Sequence, residues 1–124
     1  MDYLSEFELY DIVEAGGKKF VLVHAGLCNS SEDRDLDDYD LSEMLFQSPD
    51  YNVRYFKNAF LVTGHTPTRV MYAAERGVSL DDLPSSEYRD IIFKKNNHIA
   101  IDCGSGFDGK LGCICLDTLE EFYV

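Results

Sequence analysis

Two histidines close apolar runs in this chain. Residues 18–24 read Lys-Lys-Phe-Val-Leu-Val-His, and residues 59–65 read Ala-Phe-Leu-Val-Thr-Gly-His. A neutral imidazole is a metal ligand, and near neutral pH it serves as an acid or base. Small or rigid residues flank both: Ala25 and Gly26 after His24, then Gly64 before His65 and Thr66-Pro67 after it. Gly26 and Gly64 are expected to let the backbone approach closely or take dihedrals that other residues avoid. Thr66 and Pro67 are expected to stiffen the turn that aims His65. A single histidine at a strand end is most often a hydrogen-bonded structural residue. Two such ends in 124 residues set a functional reading beside the structural one, and spacing alone decides no further.

The elements that would carry them are short and β-rich. The runs over 20–23 and 59–63 are too brief for helices and apolar at nearly every position, the pattern of strands buried on both faces. Residues 7–14 read as a strand joined to the first run by a hairpin through 15–18, with Gly16-Gly17 as the turn and Tyr10 and Ile12 beside the core. Residues 41–46 have helical spacing, with Leu41, Met44 and Leu45 on one face and Asp40 as N-cap. Residues 53–57 are read as a helical turn or irregular chain. Residues 69–73 read as extended, and 77–90, which contain Pro84, as an irregular insertion. Residues 91–94 and 98–102 read as strands about an Asn96-Asn97 turn. A loop with Gly104, Gly106 and Gly109 leads to two final strands over 111–116 and 120–124. The sum is a single α+β domain over 1–124, dominated by its sheet.

Composition narrows the function. Lys and Arg number 11 against 23 Asp and Glu, a net charge of −12. Such a surface repels phosphate backbones, which argues against binding to nucleic acid through charge, while cations are attracted. Part of the acidity falls in residues 32–40, read as a solvated loop; it lacks the glycine and closing glutamate of a helix-loop-helix calcium site. No apolar stretch has the length to span a membrane, and the N-terminus lacks a secretory pattern, which points to the cytoplasm. The four cysteines, Cys28, Cys103, Cys113 and Cys115, form no CxxC pair. They are read as reduced, mostly buried thiols, with a thiol-based metal site as the lesser alternative.

Three blocks together resemble the calcineurin-like metallophosphoesterases. Val-His-Ala-Gly-Leu at 23–27 and Leu-Val-Thr-Gly-His-Thr-Pro-Thr at 61–68 resemble the fourth and fifth motifs of that superfamily, nearest to bacterial serine/threonine phosphatases and diadenosine tetraphosphatases. The tail at 101–117 resembles its closing strand-loop-strand, with Cys103 where threonine is usual. The resemblance implies the C-terminal half of a four-layer α/β/β/α sandwich, in which His24 and His65 bind one of two divalent metals (Mn, Fe, Zn or Co). The implied reaction is hydrolysis of a phosphate monoester or a dinucleoside polyphosphate by a metal-held hydroxide. Asn29 is a further candidate to line the site after Gly26, and Asp102 is read first as structural, bonding to neighbouring backbone or an imidazole, and second as support for a histidine, while Thr66 stands beside His65 in its motif. Arg54 or Arg69 would stand in for an absent phosphate-contacting arginine. His98 is read as exposed and outside the ligand set.

The opening motifs of the family, Gly-Asp-X-His, Gly-Asp-X-X-Asp-Arg-Gly and Gly-Asn-His-Glu, are missing from the chain. They supply the other metal's ligands and the bridging carboxylate. The expectation is therefore weak metal binding and little activity without an N-terminal half, as in a truncated or split gene product. A half-sandwich leaves an apolar face, which predicts pairing with that missing half or self-association. The alternative is an interaction module or remnant that keeps the fold without turnover.

Overall fold

A computed structural model describes residues 10–27, 39, 44, 45 and 48–124. Five strands form the main sheet: β1 (Tyr10–Ala15), β2 (Lys18–Val23), β3 (Phe60–Thr63), β4 (Phe93–Lys95) and β5 (His98–Ala100), in the order β1-β2-β3-β5-β4. The α-helix α1 (Thr68–Glu75) follows β3. The hairpin β6 (Gly112–Ile114) and β7 (Glu121–Tyr123) forms a separate two-stranded sheet. The domain is thus α+β and mostly sheet, as the sequence predicts. Among the described residues no helix is long and apolar enough to cross a membrane.

Turn chemistry sets the local pairings. Gly16 and Gly17 both take positive φ and close the β1–β2 hairpin, with Ala15 opposite Lys18. Asn96 and Asn97, at φ 52° and 59°, close β4–β5 in the same manner. Both are the two-residue turns whose twist matches that of the flanking strands. The centre of the sheet is parallel: Val23 pairs with Thr63 and Thr63 with Ala100. The carboxyl ends of β2, β3 and β5 therefore lie along one edge.

Side-chain alternation sends two sets of residues to opposite faces. Val21, Val23 and Leu61 pack with Leu27, Tyr39, Met44 and Tyr55. Beside them Ala100 and Phe93 pack with Met71 and Tyr72 of α1. On the other face Phe20, Val62 and Ile99 meet Ile114, Leu116 and Tyr123 from the hairpin. Phe20, Leu61 and Ala100 are fully buried. Each large side chain withdrawn in this way contributes about 1.5–3 kcal/mol. Three polar ties pin the hairpin: Asp117 Oδ1 accepts from Gly16 N–H at 3.0 Å, Tyr123 Oη from Ile92 N–H at 3.0 Å, and Lys94 bonds Glu121 at 2.5 Å.

Several expectations need correction. Residues 69–73 are helical rather than extended, because Thr68–Glu75 forms α1. The β-forming Val70 and Tyr72 are outweighed by Ala73, Ala74 and a clean stop. At that stop Gly77 takes φ 74°, Val78 N–H bonds Ala73 O at 3.1 Å, and Gly77 N–H bonds Ala74 O at 2.9 Å. This is the left-handed glycine closure that satisfies a helix's last carbonyls. The ambiguous segment 53–57 is irregular chain with bends at Val53, Tyr55 and Lys57 and no helical turn. Ile12 is 43% exposed, since β1 is an edge strand, while Tyr10 does pack against the core. Of the three described thiols, Cys103 is buried, but Cys113 is exposed and Cys115 half-buried. The two tight turns stand where the sequence puts them, as do the final strands in shorter form, while the 77–90 segment carries two short 3-10 turns, Leu80–Asp82 and Ser85–Glu87, within otherwise irregular chain. The proposed helix over 41–46 lies outside the described residues except at Met44 and Leu45, which are helical. Residues 7–9, Cys28 and nearly all of the acidic run also lie outside them.

Candidate functional site

The parallel pairing of β2 with β3 brings the two strand-end histidines together. Beyond Val23 and Thr63 the ladder runs one step further, Gly64 N–H donating to His24 O at 2.8 Å. The His24 and His65 rings then lie with centroids 5.0 Å apart and planes tilted by 60°. Both histidines are exposed. His65 takes φ 66°, the left-handed region that a residue with a Cβ rarely occupies. Gly64, expected to allow a close approach or an unusual dihedral, has no positive φ, and a Cβ there would meet only His24 O at an ordinary 3.5 Å. The cost falls on His65 instead. Backbone strain of this kind is held in place only when its surroundings fix it, and it concentrates at functional positions.

Neighbouring bonds fix this turn. Thr66 N–H donates to Gly64 O at 2.8 Å, and Thr66 Oγ1 lies 2.8 Å from Ser48 Oγ. Thr68 N–H donates to Asp102 O at 2.7 Å, and Asp102 Oδ1 accepts from Gly104 N–H at 3.0 Å. Asp102 follows β5 and thus stands on the same sheet edge as both histidines, bonding to neighbouring backbone. An open cleft of ≈ 300 Å³ borders this edge, lined by His24, Tyr10, Asp11, Leu22, Val62 and Ile101 among others. A larger hollow, ≈ 440 Å³, lies at the opposite end of the strands among Gly16, Lys18, Lys19 and Asp117, away from the histidines.

The remaining candidates divide. Asn29 lies outside the described residues. Arg54 is exposed. Arg69 is committed elsewhere: it holds both Asp90 carboxylate oxygens, at 2.7 and 3.0 Å, and its guanidinium lies 4.7 Å from the Tyr88 ring centroid. It ties the 77–90 segment to α1 and is not a free phosphate ligand.

His98 is not exposed, as its place after a polar turn suggested, but 1% accessible. Strand β5 lies between β3 and β4 and turns this side chain into the core. Its Nε2 is 2.7 Å from Oγ1 of Thr63, the last residue of β3, and its Nδ1 has no hydrogen-bond partner among the described residues. Burial pushes its pKa down to about 4, so the ring is neutral. The arrangement with least penalty has Nε2–H donating to Thr63, leaving a bare lone pair rather than an orphaned N–H. The sequence carried one signal for this contact, the β-hairpin turn ahead of His98, but not the register that sets Leu61 opposite it.

The His24–His65 pair fits part of a metal site. With metal–nitrogen bonds of about 2.0–2.1 Å, each ring centroid stands about 3.2 Å from the ion. Two rings meeting at roughly 90–109° then have centroids about 4.5–5.2 Å apart, a range that includes the observed separation. Among the described residues no third His, Cys, Asp or Glu joins them. Two imidazoles hold an ion only loosely and leave most of its coordination sphere to other groups. No protein-family model, curated protein or solved structure matches this chain.

Proposed function

We propose that this chain is the C-terminal half of a metal-dependent phosphoesterase, with His24 and His65 as two ligands of one divalent ion. The observation that carries this reading is the 5.0 Å approach of two imidazoles at adjacent carboxyl ends of a parallel sheet. That edge is where ligands of open α/β sheets bind, because side chains leave the core there while their backbone stays rigid. The family-like motifs around both histidines are the second support. Metal ions held there would supply Lewis-acid activation of water and of the phosphoryl group. The residues of this chain contribute position: the Gly64–His24 and Thr66–Ser48 bonds hold the two rings, and Asp102 anchors the start of α1 behind them. The substrate class is a phosphate monoester or a dinucleoside polyphosphate.

The layered arrangement supports the sandwich that this reading requires. One face of the main sheet packs on α1 and the other on the β6–β7 hairpin. The hairpin's outward face is apolar and open, with Leu111 62% and Phe122 50% exposed. A further layer from an N-terminal half would cover that face. That half would also supply the missing carboxylates. A second reading, an interaction module without turnover, rests on the lack of a third ligand among the described residues.

The test is metal content and p-nitrophenyl phosphate hydrolysis with added Mn, beside His24→Ala and His65→Ala. The proposal expects weak metal uptake, at micromolar affinity or poorer, reduced in both variants. It expects little turnover until a segment bearing the absent motifs is added in trans. Metal uptake unchanged in both variants would overturn it.

A further inference from the structure

The turn that carries His65 is gripped at both ends by one stretch of chain, β5 and its continuation. The turn spans residues 64–67, between Thr63 at the end of β3 and Thr68 at the start of α1. Both threonines are buried, at 1% and 0% exposure. At the near end, Thr63 O accepts from Ile101 N–H at 2.9 Å, and Thr63 Oγ1 lies 2.7 Å from His98 Nε2. At the far end, Thr68 N–H donates to Asp102 O at 2.7 Å. A short link between two fixed points cannot relax by moving its ends, so a misfit is taken up inside it. The left-handed φ of 66° at His65 is where this turn takes it up.

Among these contacts His98 supplies the side-chain anchor; the others are backbone bonds that almost any residue type would make. An apolar side chain of similar size would fill the same buried place without leaving Nδ1 unpartnered. What the imidazole adds is the bond to Thr63. In the parallel register His98 stands opposite Leu61, two residues before Thr63 on β3. The ring therefore leans forward along the sheet, toward the edge where His65 begins its turn.

We propose that His98 positions His65: through Thr63 it fixes the near end of the turn, and so holds the His65 ring where it meets that of His24. The functional weight of this brace rests on the reading of the two imidazoles as metal ligands; its geometry does not. A ring held ready by a preset turn costs less to order when an ion binds. Loosening the brace then weakens metal binding without removing a ligand.

The test compares the full native chain with His98→Leu, His98→Gln and Thr63→Val, first by NMR without metal and then by Mn(II) uptake. A left-handed φ brings a residue's own amide proton and Hα to their closest approach, so a strong cross-peak between them marks His65 in this state. The cross-peak should be strong in the native chain and in His98→Gln, whose amide still donates to Thr63. It should be lost in His98→Leu and in Thr63→Val, with circular dichroism unchanged; either variant decides if the other fails to fold. The part of Mn(II) uptake that depends on His65 should weaken about tenfold in those two variants, as a left-handed residue loses population when nothing holds it. A purely structural bond would lower their unfolding temperature and leave the cross-peak in place. That outcome overturns the proposal, and so does a weak cross-peak in the native chain. A cross-peak that responds as expected in a chain that takes up no Mn(II) upholds the brace and overturns the metal reading.

Discussion

At the scale of single residues, three histidines show what a sequence does and does not reveal. His24 and His65 stand out because each ends an apolar run, and the side chain that ends a buried strand leaves the core. His98 has the same residue type and a misleading neighbourhood: a polar turn before it suggests exposure. Its burial follows from β5 lying inside the sheet, which no local pattern announces. That burial has a pH consequence. The folded pKa of about 4 lies below the unfolded value of about 6.5, so the unfolded chain binds the extra proton. The contribution is full above pH 6.5 and is lost as pH falls from there to about 4. The loss is on the order of 3 kcal/mol. Urea midpoints of the native chain and of His98→Gln, measured between pH 4 and 7.5, should converge toward the acid end. Parallel pH profiles would contradict the assignment.

At the scale of elements, the tight turns were legible and the helix was not. Gly16-Gly17 and Asn96-Asn97 supply the left-handed dihedrals of two-residue turns, a requirement few residue types meet. Helix α1 has one and a half strand-like turns of sequence, and its helical character lies in its end, where Gly77 closes it. The two glycines of the first turn also differ from each other in a way sequence does not show. A Cβ on Gly16 would lie 2.3 Å from the Asp117 carbonyl oxygen, whereas one on Gly17 meets nothing within 4 Å. Gly17→Ala should cost about 1 kcal/mol, the penalty of a left-handed alanine. Gly16→Ala adds a backbone collision between the hairpin turn and the β6–β7 connection, and should cost about 2–4 kcal/mol. Thermal or urea unfolding of the two variants measures the difference; equal losses would show that the turn yields without strain.

At the scale of the whole molecule, sheet dominance and the α+β class could be read from the strand-like runs, while the packing of the hairpin across the sheet could not. That packing depends on contacts between residues far apart in the chain, such as Gly16 with Asp117, 101 positions apart. The parallel centre of the sheet has a further consequence, for the order of events in folding. The pairs β1–β2, β4–β5 and β6–β7 are hairpins and close short loops, whereas Phe20 meets Phe60 only after the intervening chain is drawn in. Loop closure over that length costs entropy before any contact rewards it. Pulsed hydrogen exchange during refolding should therefore protect the β1–β2 and β4–β5 amides before those of β3, and simultaneous protection would refute this order. The two imidazoles sit across that late seam. Their meeting is an act of the nearly finished chain, so a nascent or partly unfolded molecule has both histidines and no pair.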